Sequence, residues 1–191
     1  MGKNIAILAS GNGTNAENII RYFREKATAR VALVLTNRPS AYVLQRAASL
    51  DVPALCFSKD EWADGRPVLQ ALQAHAIDFV VLAGFLARVP DNILHAYPQR
   101  MVNIHPSLLP KFGGKGMYGD RVHQAVLEAG ETESGITIHY TNEQYDEGVI
   151  IRQYACPVLP DDTPDTLAAR VHTLEYAHYP EVIEALVQAL P

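Results

Sequence analysis

Arg100-Met101-Val102-Asn103-Ile104-His105-Pro106-Ser107-Leu108-Leu109-Pro110 reads as the end of a buried strand followed by a turn. Met101, Val102 and Ile104 are apolar and suit a pleated, covered element. Pro106 stops the strand, because proline has no N–H for the next ladder bond. Asn103 and His105 are two residues apart, so they face the same side of the sheet. A carboxamide there can donate to a developing oxyanion, and an imidazole can move a proton. The same pair also fits a buried Asn and His that satisfy each other.

Reading outward from this strand sets the fold class. Upstream, apolar runs at 4–9, 31–36, 54–57 and 78–83 alternate with helical spacing at 16–27, at 41–50, from an Asp64 cap to about His75, and at 91–97. Continuous apolar runs alternating with helices belong to a parallel sheet covered on both faces. Downstream the order changes. Residues 111–119 hold four glycines and read as a loop, and 120–129 as a helix ending at Gly130. Strands at 135–141 and 149–158 flank a turn at Asp146-Glu147-Gly148 and are expected to pair as an edge hairpin. Thr163 and Pro164 open a helix that Pro180 is expected to break, and 182–190 is expected to continue as a last, turn-rich helix. The expectation is an α/β fold: a doubly wound, mostly parallel sheet with helices on both faces and an antiparallel edge near the C-terminus. No repeat or linker appears, so residues 1–191 are expected to form one domain.

The totals narrow the function classes. In 191 residues, 48% are hydrophobic and the net charge is -5, which is ordinary for a globular protein and lacks the basic bias of a nucleic-acid binder. No apolar run approaches the roughly 20 residues of a membrane span, and no signal peptide is visible. Cys56 and Cys156 form no metal or CxxC pattern and are expected to be buried, reduced thiols of a cytoplasmic protein.

Beside the Asn103/His105 strand, three further places can carry chemistry. Ser10-Gly11-Asn12-Gly13-Thr14-Asn15 lies between the first strand and the first helix, where glycines and free amides suit an anion. The dinucleotide fingerprint is weak, since the second strand ends in Thr36-Asn37-Arg38 rather than an acid; Arg38 leaves NADP open. A single phosphate on a small substrate fits better. Residues 83–89, Ala-Gly-Phe-Leu-Ala-Arg-Val, follow the fourth strand at the sheet edge, and Leu86 and Val89 can line a slot for a flat ring. Asp146 can raise the pKa of His105 if the fold brings them together, although turn aspartates are common. Glu175, on the penultimate helix, can accept from a substrate amine or simply face solvent. His75, His95, His123, His172 and His178 show no metal spacing.

The set Ser-Gly-Asn-Gly-Thr-Asn, Leu-Ala-Gly-Phe, Asn-Ile-His-Pro-Ser-Leu-Leu-Pro and a late Tyr-Asp-Glu-Gly resembles the folate-dependent formyltransferases, and the glycine turn resembles their phosphoribosylglycinamide branch in purine biosynthesis. The resemblance spans nearly the whole chain. It implies a Rossmann-like cytoplasmic enzyme that uses 10-formyltetrahydrofolate as co-substrate, formylates the amine of 5-phosphoribosylglycinamide, and needs no metal. Its partners are then small-molecule substrates, with no nucleic acid and no membrane, and its expected assembly is a monomer or weak homodimer. The resemblance implies that Gly11, Asn12, Gly13 and Thr14 hold the substrate phosphate. Arg66, Leu86, Ala87, Arg88 and Val89 meet the folate, together with Asn103. Asn103 and His105 polarise the formyl carbonyl, Asp146 keeps His105 protonated, and Glu175 meets the glycinamide.

Two departures stand out. The arginine after Gly84-Phe85 is displaced by one residue, to Arg88, and the loop 112–119 is longer and richer in glycine than in the family, with Lys115 placed to meet an anionic group if the loop covers the site. Formyltetrahydrofolate deformylase shares Asn103 and His105 but differs at Pro106 and carries an N-terminal regulatory segment. Methionyl-tRNA formyltransferase adds a tRNA-binding domain with no counterpart here. A non-enzymatic NADP-binding module rests on Arg38 alone.

Overall fold

The computed structural model describes residues 2–191. In the first half, β1 (Lys3–Leu8), β2 (Ala29–Thr36), β3 (Ala54–Cys56) and β4 (Phe79–Leu82) alternate with α1 (Thr14–Lys26), α2 (Val43–Ser49) and the pair α3 (Lys59–Asp64) and α4 (Arg66–Ala74). α5 (Asp91–Ala96) leads to β5 (Met101–His105). α6 (Asp120–Glu128), β6 (Glu133–Tyr140), β7 (Ile150–Pro157) and α7 (Pro164–Gln188) complete the chain. The strands form one sheet in the order β3-β2-β1-β4-β5-β6-β7. β1 pairs in parallel with β2 and β4, and β2 in parallel with β3. β6 and β7 pair antiparallel, as the expected edge hairpin. The fold is the Rossmann-like, mostly parallel α/β class read from the alternation of runs and helices.

The contacts divide the chain into two compact units: the N-terminus to Val102 with Pro180–Pro191, and Asn103–Tyr179. In the first unit every residue of β4 is buried, as a strand covered on both faces requires. Trp62, Leu33, Leu35, Val68, Leu72, Val80 and Ile93 belong to one core cluster, and each large side chain contributes about 1.5–3 kcal/mol on burial. The C-terminal segment is tied in by Glu184, which accepts from the hydroxyls of Tyr22 and Thr28 at 2.5 and 2.6 Å. Within this unit β1 lies between β2 and β4, so the loops after β1 and β4 leave the sheet at its order reversal, where open α/β sheets bind ligands. In the second unit Val122, Val126, Ile136, Ile138, Leu167, Val171 and Tyr179 are buried.

Three local expectations are corrected. Asp64 does not cap a helix start. Ser58 does, in a reciprocal capping box with Glu61, and Gly65 at φ 75° divides α3 from α4. Pro180 does not break the last helix, which continues as one 25-residue element. The lost backbone bond costs about 3 kcal/mol; Leu167, Val171, Tyr179, Ile183 and Val187 are buried along the same helix and offset it. Cys56 is exposed on the short strand β3, and only Cys156 is buried.

Candidate active site

The turn after β1 is built from backbone. Gly13 is the N-cap of α1 at φ 77°, a left-handed conformation that favours glycine. A Cβ there would run into Val43. The Gly13 carbonyl accepts from Glu17 N–H at 2.9 Å, which closes the first helical turn, and the Gly11 carbonyl accepts from Val43 N–H at 3.1 Å. Gly11, Asn12 and Thr14 are exposed at this helix start. An exposed helix start with uncapped amides and a positive dipole end suits an anion.

Ser10 is buried and joins this turn to the loop after β4. Its N–H donates to the Gly84 carbonyl at 3.0 Å. Its hydroxyl donates to Asn37 Oδ1 at 2.6 Å and accepts from Leu86 N–H at 2.9 Å. Leu86 and Arg88 are exposed and Ala87 is half-buried. Val89 is not open to a slot: its side chain is buried in the core cluster with Trp62 and Ile93. Phe85 packs on Trp62, with ring centroids 4.6 Å apart. Arg88 pairs with Asp91 at 2.6 Å. Arg66 grips Asp64 with two nitrogens at 2.6 and 2.7 Å. A ligand carboxylate at either arginine would exchange with these partners.

The second unit holds a cluster of side chains at the end of β5. His105 Nε2 lies 2.7 Å from the Phe112 carbonyl and so carries a hydrogen toward it. His105 Nδ1 lies 3.3 Å from Asp146 Oδ2. Asp146 sits in the loop after β6 at φ 56° and also accepts from Gly114 N–H at 3.0 Å. The fold thus brings together His105 and Asp146, which are 41 positions apart in sequence. Both ring nitrogens of His105 face acceptors, an arrangement that only the imidazolium satisfies in full. Burial opposes that form. The ring is only 4% exposed, and loss of hydration is the largest influence on it. Asp146 and the Phe112 carbonyl pull upward without overturning it, so the His105 pKa lies below the usual histidine value. Asp146 exerts the upward pull expected of it, and burial outweighs that pull. Asp146 itself stays below the usual carboxylate range despite its burial, because His139 and His105 lie beside it and the Gly114 N–H donates to it.

His139 was not singled out from sequence. The hairpin register shifts between Ile138 and His139, where β7 carries one extra residue opposite β6. The His139 Nδ1 donates to the Tyr140 carbonyl at 2.9 Å. In the neutral ring Nε2 is then an acceptor, and Asn103 Nδ2 lies 3.4 Å from it. His139 Nε2 is 3.6 Å from Asp146 Oδ1. His139 therefore orients the Asn103 amide and leaves that amide's second N–H for another acceptor. Thr137, two residues earlier on the same side of β6, accepts from Leu109 N–H at 3.0 Å and donates to the Ser107 carbonyl at 2.7 Å. Gln153 Nε2 adds 2.9 Å bonds to Leu109 O and Thr137 Oγ1. The turn 106–111 is thereby locked to the hairpin. The Thr137/His139 alternation is the sequence signal that could have found both residues. Glu175 is buried on α7 rather than on a solvated face; burial, and after it the nearby Glu175, raises the Tyr179 hydroxyl well above its ordinary value.

A model of the formyl transferase family matches residues 3–183. The chain is 41% identical over 97% of its length to the chloroplastic phosphoribosylglycinamide formyltransferase of Arabidopsis thaliana, of which it spans 66%, just under two thirds. It is 37% identical to the phosphoribosylglycinamide formyltransferase of Bacillus subtilis, covering 97% of this chain and 95% of that one. The crystal structure of glycinamide ribonucleotide transformylase 1 from Symbiobacterium toebii superposes with a TM-score of 0.90 at 38% identity, over 98% of this chain and 88% of that chain. On this match of sequence and fold, the chain belongs to the formyl transferase family.

Proposed function

We propose that this chain transfers the formyl group of 10-formyltetrahydrofolate to the amine of 5-phosphoribosylglycinamide, as one formyltransferase domain spanning both units. What supports the reading most is the meeting of Asn103, His105 and Asp146, joined through His139, in one cluster around two buried rings, within a chain 37% identical to the Bacillus relative, of which it covers 95%. The amine nitrogen attacks the formyl carbon, and negative charge develops on the formyl oxygen. The free N–H of Asn103 and Nε2–H of His105 are the donors for that charge. The oxyanion supplies what burial withholds at rest: a negative partner on one side of the ring, with Asp146 on the other, which favours the imidazolium as the reaction proceeds. The bond from the formyl carbon to the folate nitrogen then breaks, and the proton lost by the amine ends on that nitrogen. Asp146 assists this transfer through His105. Gly11, Asn12, Gly13 and Thr14 receive the phosphate, and Glu175 the glycinamide. Arg66, Leu86, Ala87, Arg88, Val89 and Asn103 serve the folate, Val89 through its backbone. The working form is a cytoplasmic monomer or weak homodimer.

The test follows folate absorbance with purified protein and 10-formyltetrahydrofolate, with and without 5-phosphoribosylglycinamide. Formyl loss only when the amine is present is expected. Equal loss without the amine means a hydrolase, and no loss under either condition overturns the reading.

A further inference from the structure

Arg46, on α2, directs two guanidinium nitrogens at Asn12 of the glycine turn and a third at Glu17 of α1. Nε donates to the Asn12 carbonyl at 2.7 Å, Nη2 to Asn12 Oδ1 at 2.6 Å, and Nη1 to Glu17 Oε2 at 2.5 Å. The guanidinium also lies 4.9 Å from the centre of the Tyr42 ring. Arg46 and Glu17 side chains are each 23% exposed, so this pair is better sheltered than the Arg66 and Arg88 pairs at the surface. The same helix supplies Val43, whose N–H bonds the Gly11 carbonyl and whose side chain fills the space beside Gly13. α2 therefore backs the turn along its length.

We propose that Arg46 is a positioning residue for the substrate phosphate and acts through the Asn12–Gly13 peptide, an inference that rests on the phosphate role proposed for this turn. Two physical effects carry it. A cation on the Asn12 carbonyl fixes the plane of that peptide and polarises it, which strengthens the Gly13 N–H as a donor. Arg46 also neutralises Glu17. That carboxylate occupies the first turn of α1, where it would otherwise repel an arriving anion; Arg46, followed by Arg21, is the main reason its pKa is lowered. Lysine cannot reproduce the role, because a single ammonium lacks the planar fork that reaches three acceptors in different directions.

The test compares wild type, Arg46→Lys and Arg46→Met. Three substrates or probes are used: 5-phosphoribosylglycinamide, the same compound without its phosphate, and ribose 5-phosphate binding by calorimetry. In Arg46→Met, the KM for the phosphorylated amine and the dissociation constant of ribose 5-phosphate are expected to rise about tenfold, with Arg46→Lys between. Turnover and the KM for 10-formyltetrahydrofolate stay within about twofold, and kcat/KM for the phosphate-free amine is unchanged. Equal loss on both amines marks a purely structural residue and overturns the proposal. So does a ribose 5-phosphate affinity that the variants leave unaltered, or no binding of it by the wild type. A wild type that binds ribose 5-phosphate, weakens with Arg46→Met, and yet transfers no formyl group overturns the proposed reaction and leaves the Arg46 role standing.

Discussion

The turn after β1 and the end of β5 are made from different materials. The first is a backbone device: a left-handed glycine, a helix start and carbonyls held by neighbouring N–H groups. The second is a side-chain device, in which an imidazole, a carboxamide, a second imidazole and a carboxylate hold one another. Backbone amides do not titrate, so the first site offers the same donors at any ordinary pH. The second depends on where protons sit, and burial moves them. Geometry therefore limits one site and electrostatics the other.

The largest expected effects belong to the side-chain site. His105→Ala, Asn103→Ala and Asp146→Ala are each expected to lower turnover by about 10²–10³, with the melting transition retained. Near-normal turnover for His105→Ala would break the contrast. In the backbone site the sensitive position is Gly13. Gly13→Ala forces a left-handed alanine against Val43 and is expected to cost about 1–3 kcal/mol of stability by urea denaturation, with a raised KM for the phosphorylated substrate.

A pH series sharpens the contrast further. Burial lowers the pKa values of His105 and His123 from an ordinary 6.5. Below 6.5 the unfolded chain binds more protons at these rings than the folded chain does. Their contribution is thus complete above 6.5 and is lost as pH falls below it. Denaturation midpoints are expected to drop on acidification through that range, and a flat profile would count against the buried neutral rings. Asp146→Asn removes an upward pull, so the His105 pKa is expected to fall further in an NMR titration; no change would remove the Asp146 role. The smallest effect is expected at the exposed Arg66. Arg66→Ala leaves stability unchanged and raises the KM for 10-formyltetrahydrofolate about threefold, the weight of an exposed contact.

The two sites also differed in how far the residues alone revealed them. Glycine spacing between a strand and a helix is a local signal, and it located the turn within Ser10–Asn15 directly. The Asn103/His105 pair was equally local, because Pro106 ends its strand. His139 was missed, since its role depends on Asn103 and Asp146, which the fold brings to it from elsewhere in the sequence. At His105 the pull of a nearby aspartate was visible in the sequence, but the loss of water around the ring was not. In the fold, uninterrupted apolar runs announced the parallel sheet. The α3/α4 division was hidden behind a reading of Asp64 as a cap, although Ser58 and Glu61 carry the capping signature. Pro180 misled because a strong local rule yielded to burial along a long helix.

The bond from His105 Nε2 to the Phe112 carbonyl has a consequence for affinity. The imidazole at rest already has an oxygen where a ligand oxygen would dock, donated by the chain's own glycine-rich segment. Binding there is an exchange between two acceptors rather than a gain of one, so its net strength is only the difference between them. A neutral carbonyl ligand is then nearly matched by the peptide it displaces, whereas an oxygen bearing full negative charge outbids it, and discrimination in favour of the charged species follows from a main-chain group that takes no part in the chemistry.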